Sequence, residues 1–203
     1  MKRFFDIVIA VLGLLVLSPL LLLVSVLIKI DSDGPVFFTQ ERIGKGFQPF
    51  RIYKFRTMST KASRRGSLIT YGNDSRITRI GRFLRRTKLD ELPQLINVLR
   101  GEMSLVGPRP EVRKYVDLFR NEYNEILKVR PGITDLASLK YQDEAELLAQ
   151  FANPEQAYVT HVLPDKLRLA RYYVDRSSFL FDMRLLIKTL PRLSGRKLSN
   201  PTF

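Results

Sequence analysis

The apolar stretch from Ile7 to Ile30 is the feature that most constrains how this chain can fold. It holds 24 residues, is dominated by Leu, Val and Ile, and carries no charge before Lys29. A straight helix of that length can span a bilayer. A cleavable signal peptide is disfavoured, because the apolar region is too long and no small-x-small cleavage site follows it.

Ser18-Pro19 interrupts the middle of this stretch. Pro19 cannot donate to the carbonyl of Leu15 and its ring pushes on that turn, so we expect a kink or a break. Each half is then roughly 18 Å long, shorter than a hydrocarbon core of about 30 Å. Lys2 and Lys29 lie on either side, and basic flanks prefer the cytoplasm. These features favour a re-entrant helix-break-helix and leave a spanning helix and a buried soluble helix as alternatives.

The formal net charge of +14 is concentrated just after the apolar stretch. Residues 42–100 hold 15 basic and three acidic residues, whereas residues 1–41 are close to neutral. Such a patch attracts polyanions: nucleic acid, anionic lipid head groups or phosphorylated small molecules. The chain has no cysteine and one histidine, His161, so thiolate sites, histidine metal clusters and a Ser-His-Asp triad are disfavoured and His161 is expected to be structural.

The remaining pattern predicts one compact, helix-rich α+β unit. Strand composition at 36–38 and 50–55, with Gly44-Lys45-Gly46 between them, predicts a β-hairpin. Residues 59–76 are polar and predict a mobile loop. Apolar spacing predicts helices at 77–88, 112–129, 142–151, 164–175 and 179–190, the last one packing on the core or lying in a membrane interface.

Residues 82 to 111 combine an acid pair with cations and rigid turns. Asp90-Glu91 follows a basic run and precedes Pro93, and Gly107-Pro108-Arg109-Pro110 closes the segment. Carboxylates set among guanidinium groups suggest a phosphate-handling site, because the cations bind the anion while a carboxylate holds a metal or attacks phosphorus. The plainer interpretation is that Asp90 is a helix N-cap with Glu91 in the first turn. The two interpretations are compatible, since a helix N-terminus is itself an anion site.

Several of these segments together resemble the bacterial sugar transferases, the monotopic phosphoglycosyl transferases. The resemblance runs in order from residue 2 to about residue 135. The matching segments are Lys2-Arg3-Phe4-Phe5-Asp6, Ser18-Pro19, Gly34-Pro35-Val36-Phe37, Lys54-Phe55-Arg56-Thr57-Met58, residues 89–99, residues 101–110 and Arg130-Pro131-Gly132-Ile133-Thr134. The block at 89–110 is the most specific of them.

The resemblance implies transfer of a sugar 1-phosphate from a UDP-sugar to polyprenyl (undecaprenyl) phosphate, with release of UMP. This step begins assembly of a surface glycan or a glycoprotein oligosaccharide, which downstream glycosyltransferases extend. The resemblance implies that Asp90 is the nucleophile of a covalent phosphosugar intermediate and that Glu91 binds Mg²⁺. It also implies that the Ser18-Pro19 break makes residues 1–31 a re-entrant membrane helix, with residues 32–203 forming a catalytic domain on the cytoplasmic face of the bacterial inner membrane.

Physical chemistry is consistent with that role. Attack by an anionic carboxylate on a diphosphate faces charge repulsion, which Mg²⁺ and arginines reduce. We hypothesise that six basic residues contact phosphates or the nucleotide, with Arg109 best supported because it lies between Pro108 and Pro110. The six are Lys54, Arg56, Arg85, Arg86, Arg109 and Arg130. For Lys54 and Arg56, which share one face of a strand, a solvated strand face is the competing interpretation.

The chain departs from the family pattern at two places. Lys88 stands where a small or polar residue is usual, and residues 135–144 lack the common Gly-Trp-Ala-Gln and Asn-Gly-Arg elements, so the sugar is not inferred. Without the extra N-terminal membrane spans of larger relatives, the chain resembles the minimal catalytic form. Two alternatives remain: a membrane-anchored basic protein that binds nucleic acid or anionic lipid without catalysis, and an enzyme acting on another phosphodiester lipid. No nucleic-acid-binding module pattern is present, so a nucleic-acid partner is not expected.

Overall fold

The computed structural model describes residues 1–60, 69–72 and 74–193 of the 203-residue chain. It is a helix-rich α+β fold, as the sequence predicts. In chain order the elements are α1 Lys2–Asp31, β1 Phe37–Ile43, β2 Pro49–Phe55, α2 Arg79–Thr87, α3 Leu95–Arg100, β3 Ser104–Val106, α4 Arg113–Leu118, α5 Arg120–Ile126, β4 Gly132–Thr134, α6 Leu136–Lys140, α7 Glu144–Leu148, α8 Pro154–Ala157, α9 Leu163–Arg176 and α10 Phe179–Leu193. A 3₁₀ turn, Leu89–Gln94, joins α2 to α3, and a π-helical turn, Tyr158–Val162, joins α8 to α9.

The apolar stretch forms one helix, α1, of 30 residues with Pro19 inside it. The expected break into two helices at Ser18-Pro19 is therefore wrong, because helical backbone continues through the proline, and a kink at that place stays a prediction. The hydroxyl of Ser18 donates to the carbonyl oxygen of Leu15 at 2.8 Å. That carbonyl is the one that Pro19 leaves without a backbone donor. The serine therefore supplies a hydrogen bond that the proline removes. By length and composition α1 is able to cross a membrane, and only 11% of its most apolar window is buried.

Both ends of α1 are bound to the rest of the protein. Near its start, the Asp6 carboxylate accepts from the Ser104 hydroxyl at 2.9 Å and from the Leu105 N–H at 3.1 Å. Near its end, the Arg56 guanidinium donates to the carbonyl oxygens of Ile28 at 3.3 Å and Ser32 at 2.6 Å. The helix is thus held by the compact part of the chain near both of its ends rather than at one end.

The predicted hairpin is confirmed. β1 and β2 pair antiparallel, with Phe37 opposite Phe55 and Ile43 opposite Pro49. Gly46 has a φ of +65°, a conformation that favours glycine, so it suits the short turn between the strands. Lys54 near the end of β2 is directed towards the 3₁₀ turn. The hairpin thereby forms one wall of the region that holds Asp90 and Glu91.

A second sheet was not predicted from the sequence. β3 and β4 pair in parallel, with Ser104 opposite Gly132 and Val106 opposite Thr134. Each strand is three residues long, too short to show a periodic pattern. The pairing depends on contacts between segments far apart in the chain.

The helix predicted at 112–129 is two helices, α4 and α5, separated at Phe119. The predicted apolar residues do face inwards, and Tyr115, Val116, Tyr123 and Ile126 are buried. The two halves nevertheless pack against different elements: α4 against β1 and α5 against α9. One straight helix cannot satisfy both directions, so packing overrides the continuous periodicity.

The other helix predictions are confirmed in position, with α7 shorter than expected. The predicted loop at 59–76 falls partly on 61–68 and 73, which lie outside the described residues.

His161 is exposed near the end of the π-helical turn and stacks on Phe151, with 5.9 Å between the ring centroids. α1 ends at Asp31, and the division of the chain at that residue stays a prediction.

Three apolar clusters hold the elements together. The first joins the N-terminal half of α1 to β2, α3, β3, α6, α9 and α10. The second joins α4 and α5 to α9 and the end of β1. The third packs Val24 and Ile28 of α1 against Phe55 and Leu84. The first cluster takes in the N-terminal half of α1 and the third takes in its C-terminal half, so both halves of the helix pack on the rest of the chain.

Asn97 is the polar centre of the joint between α3 and the hairpin. Its side chain is fully buried; its amide nitrogen donates to the Arg51 carbonyl and to Glu102 at 2.7 Å each. Its amide oxygen accepts from the Tyr53 N–H at 3.0 Å. One side chain thereby satisfies a main-chain donor and a main-chain acceptor of β2.

We expect Asn97→Ala to lower the free energy of unfolding by about 2–4 kcal/mol, because it leaves two backbone groups of β2 without partners. Chemical unfolding in detergent, followed by circular dichroism, measures this change. Asn124→Ala, at an exposed position of α5, is the matched control and should stay within about 0.5 kcal/mol. Equal stability of the two variants would contradict this role of Asn97.

Candidate active site

The acid pair lies on the 3₁₀ turn between α2 and α3. Asp90 is 7% exposed and Glu91 is 8% exposed. Lys88, with a φ of +58°, ends α2 and reverses the chain into the turn. Asp90 is therefore the second residue of the turn and not its N-cap, so that sequence interpretation is wrong. Pro93 is accommodated in the same turn.

Glu91 is held by two cations from separate parts of the chain. Its Oε1 atom lies 2.7 Å from the ammonium of Lys54 and 2.6 Å from Nη2 of Arg109. Nη1 of Arg109 lies 3.4 Å from the other oxygen, Oε2. Lys54 comes from β2, and Arg109 from the turn after β3. The solvated strand face is therefore wrong for Lys54, whose side chain is 18% exposed.

These charges keep Glu91 ionised. Burial by itself would raise the pKa of Glu91, but the charges of Arg109 and Lys54 outweigh it and hold that pKa well below its usual range. The negative charge of Glu91 in turn raises the pKa of Arg109. Burial lowers the pKa of Lys54, although Glu91 partly opposes this effect. Glu91 is thus a fixed anion between two cations.

Asp90 is in a different state from its neighbour. Among the described residues, its Oδ1 atom is buried and has no hydrogen-bond partner. Burial, followed by the negative charge of Glu91, raises the pKa of Asp90, while Lys54 and Lys88 oppose that rise. A buried polar atom without a partner is costly, and such atoms mark places where a ligand completes the set of contacts. The pair therefore divides into one acid fixed by cations and one acid available for chemistry.

Two glycines explain how the turn that carries Arg109 is positioned. A Cβ atom on Gly132 would lie 2.0 Å from the Gly107 nitrogen, and one on Gly107 would lie 2.5 Å from the Arg130 oxygen. Only glycine permits so close an approach. The Gly107 N–H donates to the Thr134 carbonyl at 3.0 Å, and the Gly132 N–H donates to the Pro108 carbonyl at 2.9 Å. Pro108 and Pro110 are both buried, so the arginine extends from a rigid turn.

Arg85 is the other predicted cation close to the acid pair. Its Nε atom donates to the Thr57 hydroxyl at 2.8 Å. Burial lowers the pKa of Arg85, and the charge of Asp90 is the largest effect that opposes this. Arg85 therefore adds positive charge on the side of Asp90.

The structure places the remaining predicted cations elsewhere. Arg56 is 5% exposed, so a solvated strand face is wrong for it too, and its guanidinium donates to main-chain oxygens around the end of α1. Arg130 is exposed and donates from Nε to the Gly101 carbonyl at 2.8 Å. Arg86 is exposed on α2. The substrate contacts of these three residues stay predictions. The contacts of Arg56 with main-chain oxygens give it a structural role.

Gln94 was not singled out from the sequence. It lies on the same turn as the acid pair and is 1% exposed, and its Nε2 atom has no hydrogen-bond partner among the described residues. A signal was available, because Gln94 and Asn97 are polar residues within an otherwise apolar run. Buried polar residues in such a run usually have a specific partner.

The site fits a metal ion that is shared with a phosphorylated substrate. Mg²⁺ is commonly bound through one or two carboxylates together with substrate phosphates. Asp90 and Glu91 supply that number: Oδ1 of Asp90 has no hydrogen-bond partner among the described residues, and Oε2 is the less engaged oxygen of Glu91. Within the described ranges, no group of three or more His, Cys, Asp or Glu residues forms a complete protein cage.

Comparison with known proteins places this arrangement in a family. A family model described as bacterial sugar transferase matches residues 1–196. A UDP-N-acetylgalactosamine-undecaprenyl-phosphate N-acetylgalactosaminephosphotransferase of Aeromonas hydrophila is 40% identical over 194 residues, which cover 93% of this chain and 42% of that protein. An exopolysaccharide production protein of Rhizobium leguminosarum is 42% identical over 200 residues, covering 94% of this chain and 93% of that protein.

A UDP-glucose:undecaprenyl-phosphate glucose-1-phosphate transferase of Caulobacter vibrioides is 37% identical over 199 residues, covering 95% of this chain and 69% of that protein. The chain thus spans less than half of the Aeromonas protein and nearly all of the Rhizobium protein. The family match extends over α1, the acid pair and the Pro-Arg-Pro turn. The chain therefore belongs to the bacterial sugar transferase family.

Proposed function

We propose that this chain transfers a sugar 1-phosphate from a UDP-sugar to undecaprenyl phosphate and releases UMP, through a phosphosugar carried on Asp90. The observation that carries the proposal is the buried, unpartnered Oδ1 atom of Asp90 beside a Glu91 that two cations already fix. The relatives' names supply the donor and acceptor classes. Since the donor and the acceptor both carry phosphate, we include a covalent intermediate that lets them react one after the other.

The transfer balances as two displacements. In the first, an Asp90 carboxylate oxygen bonds to the phosphorus that carries the sugar, and the bond from that phosphorus to the bridging oxygen breaks, so UMP leaves with the electron pair. In the second, a phosphate oxygen of undecaprenyl phosphate bonds to the same phosphorus, and the bond to Asp90 breaks. Covalent catalysis of this kind lets a soluble donor and a lipid acceptor react in separate steps.

The cations around the acid pair have distinct roles in this scheme. Arg109 and Lys54 hold Glu91 in place and offer positive charge to the phosphate oxygens next to Asp90. Arg85 lies on the side of Asp90, where positive charge favours the ionised, nucleophilic form of that acid. Gln94 has a free amide donor on the same turn, suited to a phosphate or sugar oxygen.

We further propose that Mg²⁺ is the metal of this site, with Glu91 as its protein ligand. When bound there, Mg²⁺ supplies positive charge against the diphosphate oxygens and the leaving UMP. The two available carboxylate oxygens and the surrounding cations support this assignment, since a site of this kind is completed by the substrate's own phosphates.

We also propose that α1 is re-entrant, so that both of its ends lie on the cytoplasmic face of the bacterial inner membrane. Its central apolar residues are exposed, including Leu15, Val16 and Leu22. Both ends contact the same compact domain, through Asp6 and through Arg56. α10 adds exposed apolar side chains that suit a membrane interface. This placement brings the acid pair to the level where a lipid phosphate lies, and the product passes to downstream glycosyltransferases of surface polysaccharide synthesis.

We expect Asp90→Asn to abolish both UMP release and retention of the sugar on the protein, because an amide cannot take the nucleophile's place. Purified protein in detergent is incubated with undecaprenyl phosphate, Mg²⁺ and a panel containing UDP-N-acetylgalactosamine and UDP-glucose. The intermediate is measured as the radioactivity that stays on the protein after incubation with radiolabelled donor alone and an acid quench. Asp175→Asn, an exposed acid on α9, is the control and should retain both signals. UMP release by Asp90→Asn at the wild-type rate would exclude the proposed nucleophile.

We expect Arg109→Lys to lower kcat by roughly 10²-fold, because a lysine cannot hold Glu91 through two nitrogens. The loss should appear in the rate of UMP release at saturating donor. Arg113→Lys, at an exposed position of α4, makes the same exchange away from the acids and should leave kcat unchanged. An Arg109→Lys enzyme with full kcat would show that this contact does not support catalysis.

The topology of α1 is testable because the chain has no cysteine. We expect Phe4→Cys and Gln48→Cys both to be protected from a membrane-impermeant maleimide in intact spheroplasts and both to react after lysis. Both positions are exposed, one at the start of α1 and one in the hairpin turn. Labelling of Phe4→Cys in intact cells, with Gln48→Cys protected, would instead establish a spanning helix.

A further inference from the structure

The outer face of α2 carries a stripe of arginines, and apart from the predicted substrate contact of Arg86 the proposed reaction gives them no role. Arg79, Arg82, Phe83 and Arg86 follow one another at helical spacing, and all four are exposed. Within the described part of the chain, the guanidinium groups of Arg79, Arg82 and Arg86 have no ion-pair partner. We call these four residues the α2 stripe.

The opposite face of α2 fixes this stripe beside α1. Ile80 and Leu84 pack against Val24 and Ile28 of α1. Gly81 allows a very close approach, since a Cβ atom there would lie 2.1 Å from the Thr57 carbonyl oxygen. The stripe is therefore held at a set distance from the apolar surface of α1.

A hydrogen bond sets the level of the stripe along α1. The Asp31 carboxylate, at the last residue of α1, accepts from the Ile80 N–H at 3.0 Å. The first turn of α2 consequently lies where the apolar helix ends. Leu23, Val26 and Ile30 are exposed on that last part of α1. An apolar surface is thus followed directly by exposed guanidinium groups. This order matches that of a bilayer, in which the acyl layer is followed by the headgroup layer.

A cavity of about 590 Å³ opens at this corner. Its polar lining includes Asp31, Ser59, Ser75, Thr78, Arg79 and Arg82. Two of the first three N–H groups of α2 are already used, since Ile80 donates to Asp31 and Gly81 donates to Thr78. A ligand here would consequently be bound by the side chains of Arg79 and Arg82 and by hydroxyl groups. That combination suits a phosphodiester carrying a polyol, since arginines pair with the phosphate and hydroxyls with the polyol.

We propose that the α2 stripe and this cavity bind the headgroup of an anionic phospholipid of the surrounding bilayer, with phosphatidylglycerol chemistry. The inference rests on the membrane placement of α1 in the proposed function. Charge complementarity and continuity with the exposed apolar surface of α1 select a bilayer lipid as the occupant. Phe83 lies between the arginines, where its ring enters the interface between headgroups and acyl chains. The contact holds the catalytic domain at a fixed height above the membrane.

The test uses the full-length, delipidated protein in detergent. Native mass spectrometry measures binding of dioctanoyl-phosphatidylglycerol, dioctanoyl-phosphatidylcholine and inorganic phosphate. We expect the wild type to prefer the glycerol lipid over the choline lipid by about tenfold or more. Arg79→Gln with Arg82→Gln should weaken binding of the glycerol lipid by roughly thirtyfold. Arg113→Gln with Arg120→Gln removes the same charge from the exposed surface of α4 and α5, and should change that affinity less than about twofold.

Equal losses in the two double variants, or no loss in either, would overturn the site. Displacement of the glycerol lipid by equimolar inorganic phosphate would also overturn it, because the occupant would then be a free anion. Circular dichroism and unfolding midpoints matching the wild type exclude misfolding as the cause of a loss. Retention of labelled sugar on Asp90, measured in the same detergent, reports the proposed function separately. If no labelled sugar were retained while the lipid preference persisted, only the proposed function would be contradicted.

Discussion

The burial of an ionised carboxylate is the constraint on which this architecture depends. Glu91 is 8% exposed, and a charge taken out of water is costly unless cations accompany it. Lys54 comes from β2 and Arg109 from the turn after β3, so satisfying one charge fixes three segments relative to one another. The preceding residue, Asp90, is carried into the same interior, and its Oδ1 atom has no hydrogen-bond partner among the described residues. A fixed anion and a buried, unpartnered carboxylate oxygen thus follow from one local arrangement.

The apolar helix α1 and the acid pair are held by neighbouring parts of the chain. Arg56, which binds the end of α1, comes directly after β2 and is two residues from Lys54. Leu105, whose N–H binds Asp6 near the start of α1, is four residues from Arg109. Each cation that holds Glu91 is therefore close in the chain to an anchor of α1. A change in the position of α1 would therefore be transmitted to the acid pair through β2 and β3.

Prediction from the sequence succeeded where structure is local and periodic. The hairpin, α2, α9 and α10 follow from alternation or helical spacing, and the acid pair stood out through the cations around it. It failed where contacts between distant segments of the chain determine the local structure. The break at Phe119 arises because α4 and α5 pack on different partners, and β4 forms only because Gly107 and Gly132 allow two backbones to touch. Arg56 was expected at the phosphates, yet its buried guanidinium satisfies carbonyl oxygens around the end of α1.

The sequence by itself determined that the chain has a long apolar helical stretch, a basic segment after it, and an acid pair followed by a rigid Pro-Arg-Pro turn. These are properties of composition, spacing and local backbone restriction. Only the tertiary structure decided which cations reach Glu91 and which acid stays free. It alone also placed the arginines of α2 at the end of α1. Those outcomes depend on burial and on contacts between residues far apart in the chain, and the strength of an interaction between charges depends on the surroundings that folding creates.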